Sequence, residues 1–147
     1  MVEIRQAAVI GAGVMGAGIA AQIANAGTPV HLLDIVPDGA DDREVIAKGA
    51  IANLLKANPA PLMHKRNASL ITPGNTEDHL DRLKDCDWII EAVIENPAIK
   101  RDLYGRIAAV RKEQAVLSSN TSTIPLDVLT EGMDDTTRRH FLVTHFF

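Results

Sequence analysis

The chain has 147 residues, of which 46% are apolar, 23% charged and only 3% aromatic, and its net charge is −4. That length and balance fit one globular domain packed mainly with Ala, Val, Ile and Leu. The scattered basic residues exclude a nucleic-acid surface, no apolar run approaches the ~20 residues of a membrane helix, and the single cysteine, Cys86, excludes an internal disulfide.

The opening "MVEIRQAAVIG" carries Glu3 and only a short apolar run, so it does not read as a secretory signal; with one cysteine it points to a reducing, cytoplasmic setting. Residues 7–11, "AAVIG", read as a first buried strand. Val14 to Ala26 reads as a helix, with Met15, Ile19 and Ile23 spaced by four and Gly27 as its stop. A second strand, "PVHLLD", covers 29–34. The long connection from 35 to 68 begins with an amphipathic helix over about 41–56, in which Ile46, Ala50, Ile51, Leu54 and Leu55 share one side. Pro59 and Pro61 then break it, leaving room for only a shortened second helix.

Further strands are predicted at 68–72, 88–93, 115–119 and 141–147. All are continuous rather than alternating, as strands covered on both faces should be. Between them, Asn96 can cap and Pro97 can open a helix whose buried face is Ile99, Leu103, Ile107 and Val110. A shorter helix follows Thr123. The alternation predicts an α/β fold: a doubly wound, mostly parallel sheet of about six or more strands with helices on both faces. The last apolar segment runs to Phe147, and more chain is expected after it.

Between Val9 and Asp34 lie five glycines. Gly11, Gly13 and Gly16 form G-x-G-x-x-G between a strand and a helix, and Asp34 ends the next strand, 18 residues beyond Gly16. In a Rossmann fold the first glycine permits a tight turn, the second lets backbone approach a pyrophosphate, and the third allows close helix–strand packing. The helix end stabilises phosphate through free N–H groups and its dipole. Asp34 would accept hydrogen bonds from ribose hydroxyls and repel a 2′-phosphate, which favours NAD over NADP. A Gly-rich packing turn is the plainer alternative.

The carboxyl ends of the predicted strands bring Gly11, Asp34, Ala92 to Glu95, Ser119 to Ser122 and His145 to one edge. Oxidising an alcohol by hydride transfer needs a base and a group that orients the oxygen; His145 and Ser122 are the candidates. A histidine on an apolar strand can equally be structural, and "SSNTST" can be a turn and cap.

The ordered motifs "VIGAGVMGAGIA", "WIIEAVIENPAIKRDLY", "LSSNTSTIPL" and "THFF" resemble the NAD-binding domain of L-3-hydroxyacyl-CoA dehydrogenases over nearly the whole chain, and the combination looks like the bacterial multifunctional type, in which this domain is fused to an enoyl-CoA hydratase. The resemblance implies that NAD lies on Gly11, Gly13, Val14, Met15, Gly16, Asp34, Ala92, Val93, Glu95, Lys100 and Asn120. It makes His145 the general base on the 3-hydroxyl of a 3-hydroxyacyl-CoA and Ser122 the hydrogen-bond partner of the substrate oxygen. Metals play no part. Read without the resemblance, Glu95 is a helix-start acid and Lys100 a solvated lysine. Contacts of His64, Lys65 or Arg66 with CoA phosphates compete with a solvated loop.

The resemblance also implies what this chain lacks: a Glu about a dozen residues after the histidine, which orients the imidazole, and a C-terminal domain that closes over substrate and forms a homodimer. Residues 1–147 are then an NAD-binding domain of a β-oxidation enzyme, able to bind NAD and weakly active or inactive alone. The alternatives are a dehydrogenase of a hydroxy acid without CoA, and a non-catalytic NAD-binding module.

Overall fold

The computed structural model describes residues 3–147. Six strands form one parallel sheet: β1 (Ala7–Ile10), β2 (Val30–Asp34), β3 (Ile71–Asn75), β4 (Trp88–Glu91), β5 (Val116–Ser119) and β6 (Phe141–Val143), in the spatial order β3-β2-β1-β4-β5-β6. The order in which successive strands are added reverses between β1 and β4, which creates the crevice where such sheets bind ligands.

Both faces of the sheet are covered, which is why its strands are apolar without alternation. On β1, Ala7 and Val9 face a core shared with α1 (Val14–Asn25) and α2 (Val45–Lys56). Ala8 and Ile10 face a second core shared with α3 (Pro97–Val110). Two small helices, α4 (Leu126–Leu129) and α5 (Asp135–Arg139), lead to β6. Asn96 caps α3 as expected, its Oδ1 accepting from the N–H groups of Ala98 (3.0 Å) and Ile99 (3.1 Å), a contribution of about 1 kcal/mol.

Several elements differ from the sequence reading. The strand expected at 68–72 is shifted: Lys65–Leu70 forms a 3-10 helix and β3 starts at Ile71, continuing through Pro73 and Gly74. β3 is an edge strand, so a proline can sit in it with no ladder partner on its outer side. Gly74 fits because a Cβ there would come within 2.7 Å of the Leu33 side chain. β6 is three residues long rather than seven, and the chain leaves the sheet after Val143.

The helix faces hold most of the expected residues, with one exception on each helix. α1 packs through Gly16, Ala17, Ile19, Ala20, Ala21 and Ala24, with Met15 exposed, because small residues let it lie close to the sheet. α2 buries Ala47, Ala50 and Leu54, leaving Leu55 outward. α3 buries Lys100, Leu103, Tyr104 and Ile107, whereas Ile99 is exposed. Leu103 and Ile107 keep the expected stripe, Val110 packs against the same core, and a lysine takes the place of Ile99 at its start.

The second helix expected after the prolines is only that 3-10 turn. Asn25 ties this connection to α1: its Nδ2 donates to the Pro61 carbonyl (2.9 Å) and its Oδ1 accepts from Met63 N (2.9 Å). No helix of the described residues is long and apolar enough to cross a membrane.

Candidate functional site

Most residues of the candidate site lie at or just beyond the carboxyl end of a strand, and the rest come from α3. After β1 the backbone turns at Gly11 with φ +105°, a conformation that side chains disfavour. A Cβ at Gly11 would also stand 2.4 Å from the Ala92 carbonyl oxygen, and one at Gly16 only 1.6 Å from that of Gly11. These two glycines therefore hold the loop against β4 and against its own helix. Gly13 differs, since a Cβ there would meet nothing within 4 Å. It faces open space at the N-terminus of α1, and no side chain caps that helix and no acid lies in its first turn. The first-turn amides and the positive helix end are thus left to an external anion.

Gly11 and Gly13 form one wall of a cleft of about 370 Å³ whose other walls include Asp34, Ile35, Thr76, Ala92, Val93, Ile94, Ile99 and Arg106. Its lining is mainly apolar, with a carboxylate at one corner. Asp34 Oδ2 accepts from Ala12 N at 2.6 Å and Oδ1 from Ile35 N at 2.7 Å. These bonds fix the carboxylate while each oxygen retains a free lone pair for a hydroxyl. An anion cradle, an apolar slot and an anchored carboxylate meet the needs of a dinucleotide, so the residues present fit that group.

Across the switch point lies a buried polar cluster. Glu91, the last residue of β4, is fully buried, as is Lys100. Glu91 Oε1 accepts from Lys100 Nζ (2.6 Å) and Val93 N (2.8 Å); Oε2 accepts from Tyr104 Oη (2.6 Å) and Ser119 Oγ (2.7 Å). Burial and the adjacent Glu91 carboxylate raise the Tyr104 phenol well above its usual range, so it remains a donor. Lys100 also reaches Glu95 at 3.3 Å. Glu95 in turn accepts from the hydroxyls of Thr121 (2.6 Å) and Thr123 (3.1 Å), joining the loops after β4 and β5. Partial burial alone would raise the Glu95 carboxyl, but the Thr121 hydroxyl, the Lys100 charge and the Thr123 hydroxyl hold it below its usual value.

Glu95 is therefore not a helix-start acid facing only the dipole, and Lys100 is not a solvated lysine. Glu91 and Tyr104 escaped the sequence reading, and Ser119 and Thr121 entered it only as part of a strand-end segment, with no role. One signal was present: an acid ending the apolar run "WIIE", with a lysine nine residues on that falls on the Leu103–Tyr104–Ile107 stripe.

At the outer end, Ser122 and His145 are both exposed. The His145 ring lies 5.8 Å from that of Phe147. Asn120 Oδ1 accepts from Phe146 N at 2.8 Å, fixing the segment that carries His145 and leaving the Asn120 amide Nδ2 as its outward donor. Val14 and Met15, in the first turn of α1, are exposed beside the glycine loop. The structure thus brings the glycine loop, Asp34, Ala92, Val93, Glu95, Asn120, Ser122 and His145 to one edge of the sheet, with Lys100 beneath Glu95. His64 lies apart from them and caps the 3-10 turn, its Nδ1 accepting from Arg66 N.

Comparison with known proteins supplies an independent line. Residues 6–147 match the family model of the 3-hydroxyacyl-CoA dehydrogenase NAD-binding domain. A Deinococcus radiodurans protein described as a probable 3-hydroxyacyl-CoA dehydrogenase is 50% identical over 145 residues, which cover 99% of this chain and 42% of that protein. A fatty acid oxidation complex subunit alpha from Colwellia psychrerythraea is 35% identical over 144 residues, covering 98% of this chain and 19% of that one. Among solved structures, 3-hydroxybutyryl-CoA dehydrogenase of Escherichia coli K12 superposes with a TM-score of 0.80 at 27% identity, covering 99% of this chain and 30% of that one. The chain spans less than half the length of these relatives.

Proposed function

Because the chain belongs to the family of 3-hydroxyacyl-CoA dehydrogenase NAD-binding domains, we propose that it is the coenzyme-holding part of a longer enzyme that oxidises L-3-hydroxyacyl-CoA to 3-ketoacyl-CoA in fatty-acid β-oxidation. The observation that carries this reading is the cradle at Gly13, open where a Cβ would stand and faced across one cleft by the anchored Asp34 carboxylate.

The pyrophosphate would lie on the amides of Gly13, Val14, Met15 and Gly16, where the uncapped end of α1 favours negative charge. Asp34 would take the adenosine ribose hydroxyls and reject a 2′-phosphate. Ala92 and Val93 line the cleft toward the nicotinamide half, with Glu95 and Lys100 on its ribose side and the Asn120 amide donating beside the ring. NAD supplies, when bound, the hydride acceptor. His145 would take the hydroxyl proton on a ring nitrogen, and Ser122 Oγ would donate to the same substrate oxygen. Both are exposed here, so acyl-CoA must be covered by residues outside the 147. We assign that cover, the acid that orients His145 and a homodimer contact to a C-terminal domain, and the reaction to the cytoplasm.

Calorimetric titration of the chain with NAD tests the coenzyme half of the proposal: binding is expected, and an Asp34→Ala variant binding as tightly as the parent overturns the role of Asp34. For the reaction, the chain joined to the remainder of its protein should oxidise NADH with acetoacetyl-CoA and lose that activity with His145→Ala. Equal turnover of free acetoacetate would instead favour a hydroxy acid without CoA. Unchanged function with alanine at His145 would favour a non-catalytic binding module.

A further inference from the structure

We propose that Glu91 is a positioning residue for the coenzyme: through Lys100 and the Val93 amide it holds Glu95 and the 92–95 loop in place, and it sets the net charge beneath the nicotinamide. The inference rests on the coenzyme reading above and deepens it at a residue that touches neither coenzyme nor substrate.

Glu91 is 0% exposed, yet it receives four donors from three segments: Val93 N from its own loop, Lys100 Nζ and Tyr104 Oη from α3, and Ser119 Oγ from the end of β5. Its backbone carbonyl takes Asn120 N at 2.8 Å. A buried carboxylate whose two oxygens each accept two hydrogen bonds has one low-energy orientation, so all four donors are fixed by it. Lys100 is the link outward. Its ammonium bonds Glu91 at 2.6 Å, reaches the Val93 carbonyl at 3.4 Å and touches Glu95 at 3.3 Å. Glu95 is the member that meets solvent, with 42% of its side chain exposed.

Charge completes the argument. Glu91, Lys100 and Glu95 together carry −1, placed where an oxidised nicotinamide would bring +1 and a reduced one would bring none. Buried charges act with little screening. Glu91 therefore favours the oxidised coenzyme over the reduced one as well as holding the loop. Fixing of Tyr104 and Ser119 by a neutral residue would give no such difference.

The test uses Glu91→Gln and the double variant Glu91→Gln/Lys100→Met, with NAD+ and NADH affinities measured by calorimetry and folding followed by thermal melting. Glutamine keeps the shape and can still meet the hydroxyls, which are free to rotate. Glu91→Gln should weaken NAD+ about tenfold and NADH only about threefold, since one negative charge is lost close by. The double variant restores the net charge of −1, on Glu95 alone. It should recover the parental NAD+ to NADH ratio while both affinities stay weakened, because nothing then holds Glu95 from below. Equal weakening of both coenzymes by Glu91→Gln, or affinities within about twofold of the parent, overturns the proposal. If Glu91→Gln does not melt cooperatively, the double variant decides alone, and parental affinities in it overturn the proposal. A parent chain that binds neither coenzyme overturns the coenzyme reading and this inference together. Binding by the parent with unaltered variants overturns this inference only.

Discussion

The two flanks of the switch point hold their loops by opposite means. On the β1–β2 side the loop is bare backbone: Gly11 and Gly16 seat it by having no side chain, and its one carboxylate, Asp34, is half-buried and bonded to main-chain N–H groups. On the β4–β5 side the loops are held by charged and hydroxyl side chains, with Glu91 and Lys100 wholly buried. The first flank is specified by what is left out, the second by polar groups that satisfy one another. A cradle built from absent atoms fails when anything is added; a network fails when one member is removed.

Addition should have the largest effect. Gly16→Ala would put a methyl 1.6 Å from the Gly11 carbonyl oxygen, which no rotamer change can relieve because the methyl is fixed directly to the backbone and the oxygen belongs to it. We expect a loss of more than about 5 kcal/mol, read as a collapse of the urea midpoint. Removal comes next. Lys100→Met leaves the Glu91 carboxylate buried without its cation and should cost about 3–5 kcal/mol. The double variant with Glu91→Gln removes the pair as a pair and should melt above Lys100→Met.

Gly13→Ala separates fold from function within the first flank. The added methyl meets nothing within 4 Å, and the residue has φ −69°, open to any side chain. Stability should change by less than about 1 kcal/mol. The methyl occupies the place assigned to the pyrophosphate, so NAD affinity should fall about tenfold or more. Unaltered affinity would show that the cradle is not where the anion rests.

Legibility in the sequence divides along the same line. The glycine loop, Asp34 and the parallel doubly wound sheet could be read because they depend on spacing within about 25 residues and on apolar runs that name their own element. Glu91 could not, because its partners lie at positions 93, 100, 104 and 119, and only the packing of α3 on β4 and β5 brings them together. The solvated reading of Lys100 fails for the same reason: a lysine in a helical pattern is normally outward, and only a buried acid opposite reverses this. β3 begins at Ile71 rather than at 68, and it runs on through Pro73 and Gly74 because at a sheet edge both can remain extended. The sequence puts His145 at the carboxyl end of a strand over 141–147; β6 ends at Val143, so His145 lies just beyond the strand but at the same edge of the sheet.

Cys86 extends the comparison to reactivity. It lies buried just before β4, and burial, with the charges of Asp85 and Asp87, pushes its thiol up to about 12. At neutral pH it should remain unlabelled by a thiol-disulfide reagent in the folded chain and react fully in urea. Rapid labelling without denaturant would mean that the β4 flank opens locally.

The smallest expected effect belongs to the exposed counterpart of the buried pair. Asp78, just after β3, is bonded by Arg43 Nε at 2.7 Å, and that guanidinium, followed by the Asn75 amide, lowers its carboxyl to about 2. A carboxyl held below its unfolded value contributes stability above about pH 4, and the contribution disappears as pH falls through about 2. Carbon NMR should find Asp78 titrating near 2, and Arg43→Ala should return it toward 3.8. Because both side chains are about half exposed, solvent screens the pair and the Arg43→Ala melting temperature at pH 7 should lie close to the parent's. A fall as large as that of Lys100→Met would mean that exposure does not separate the two kinds of ion pair in this fold.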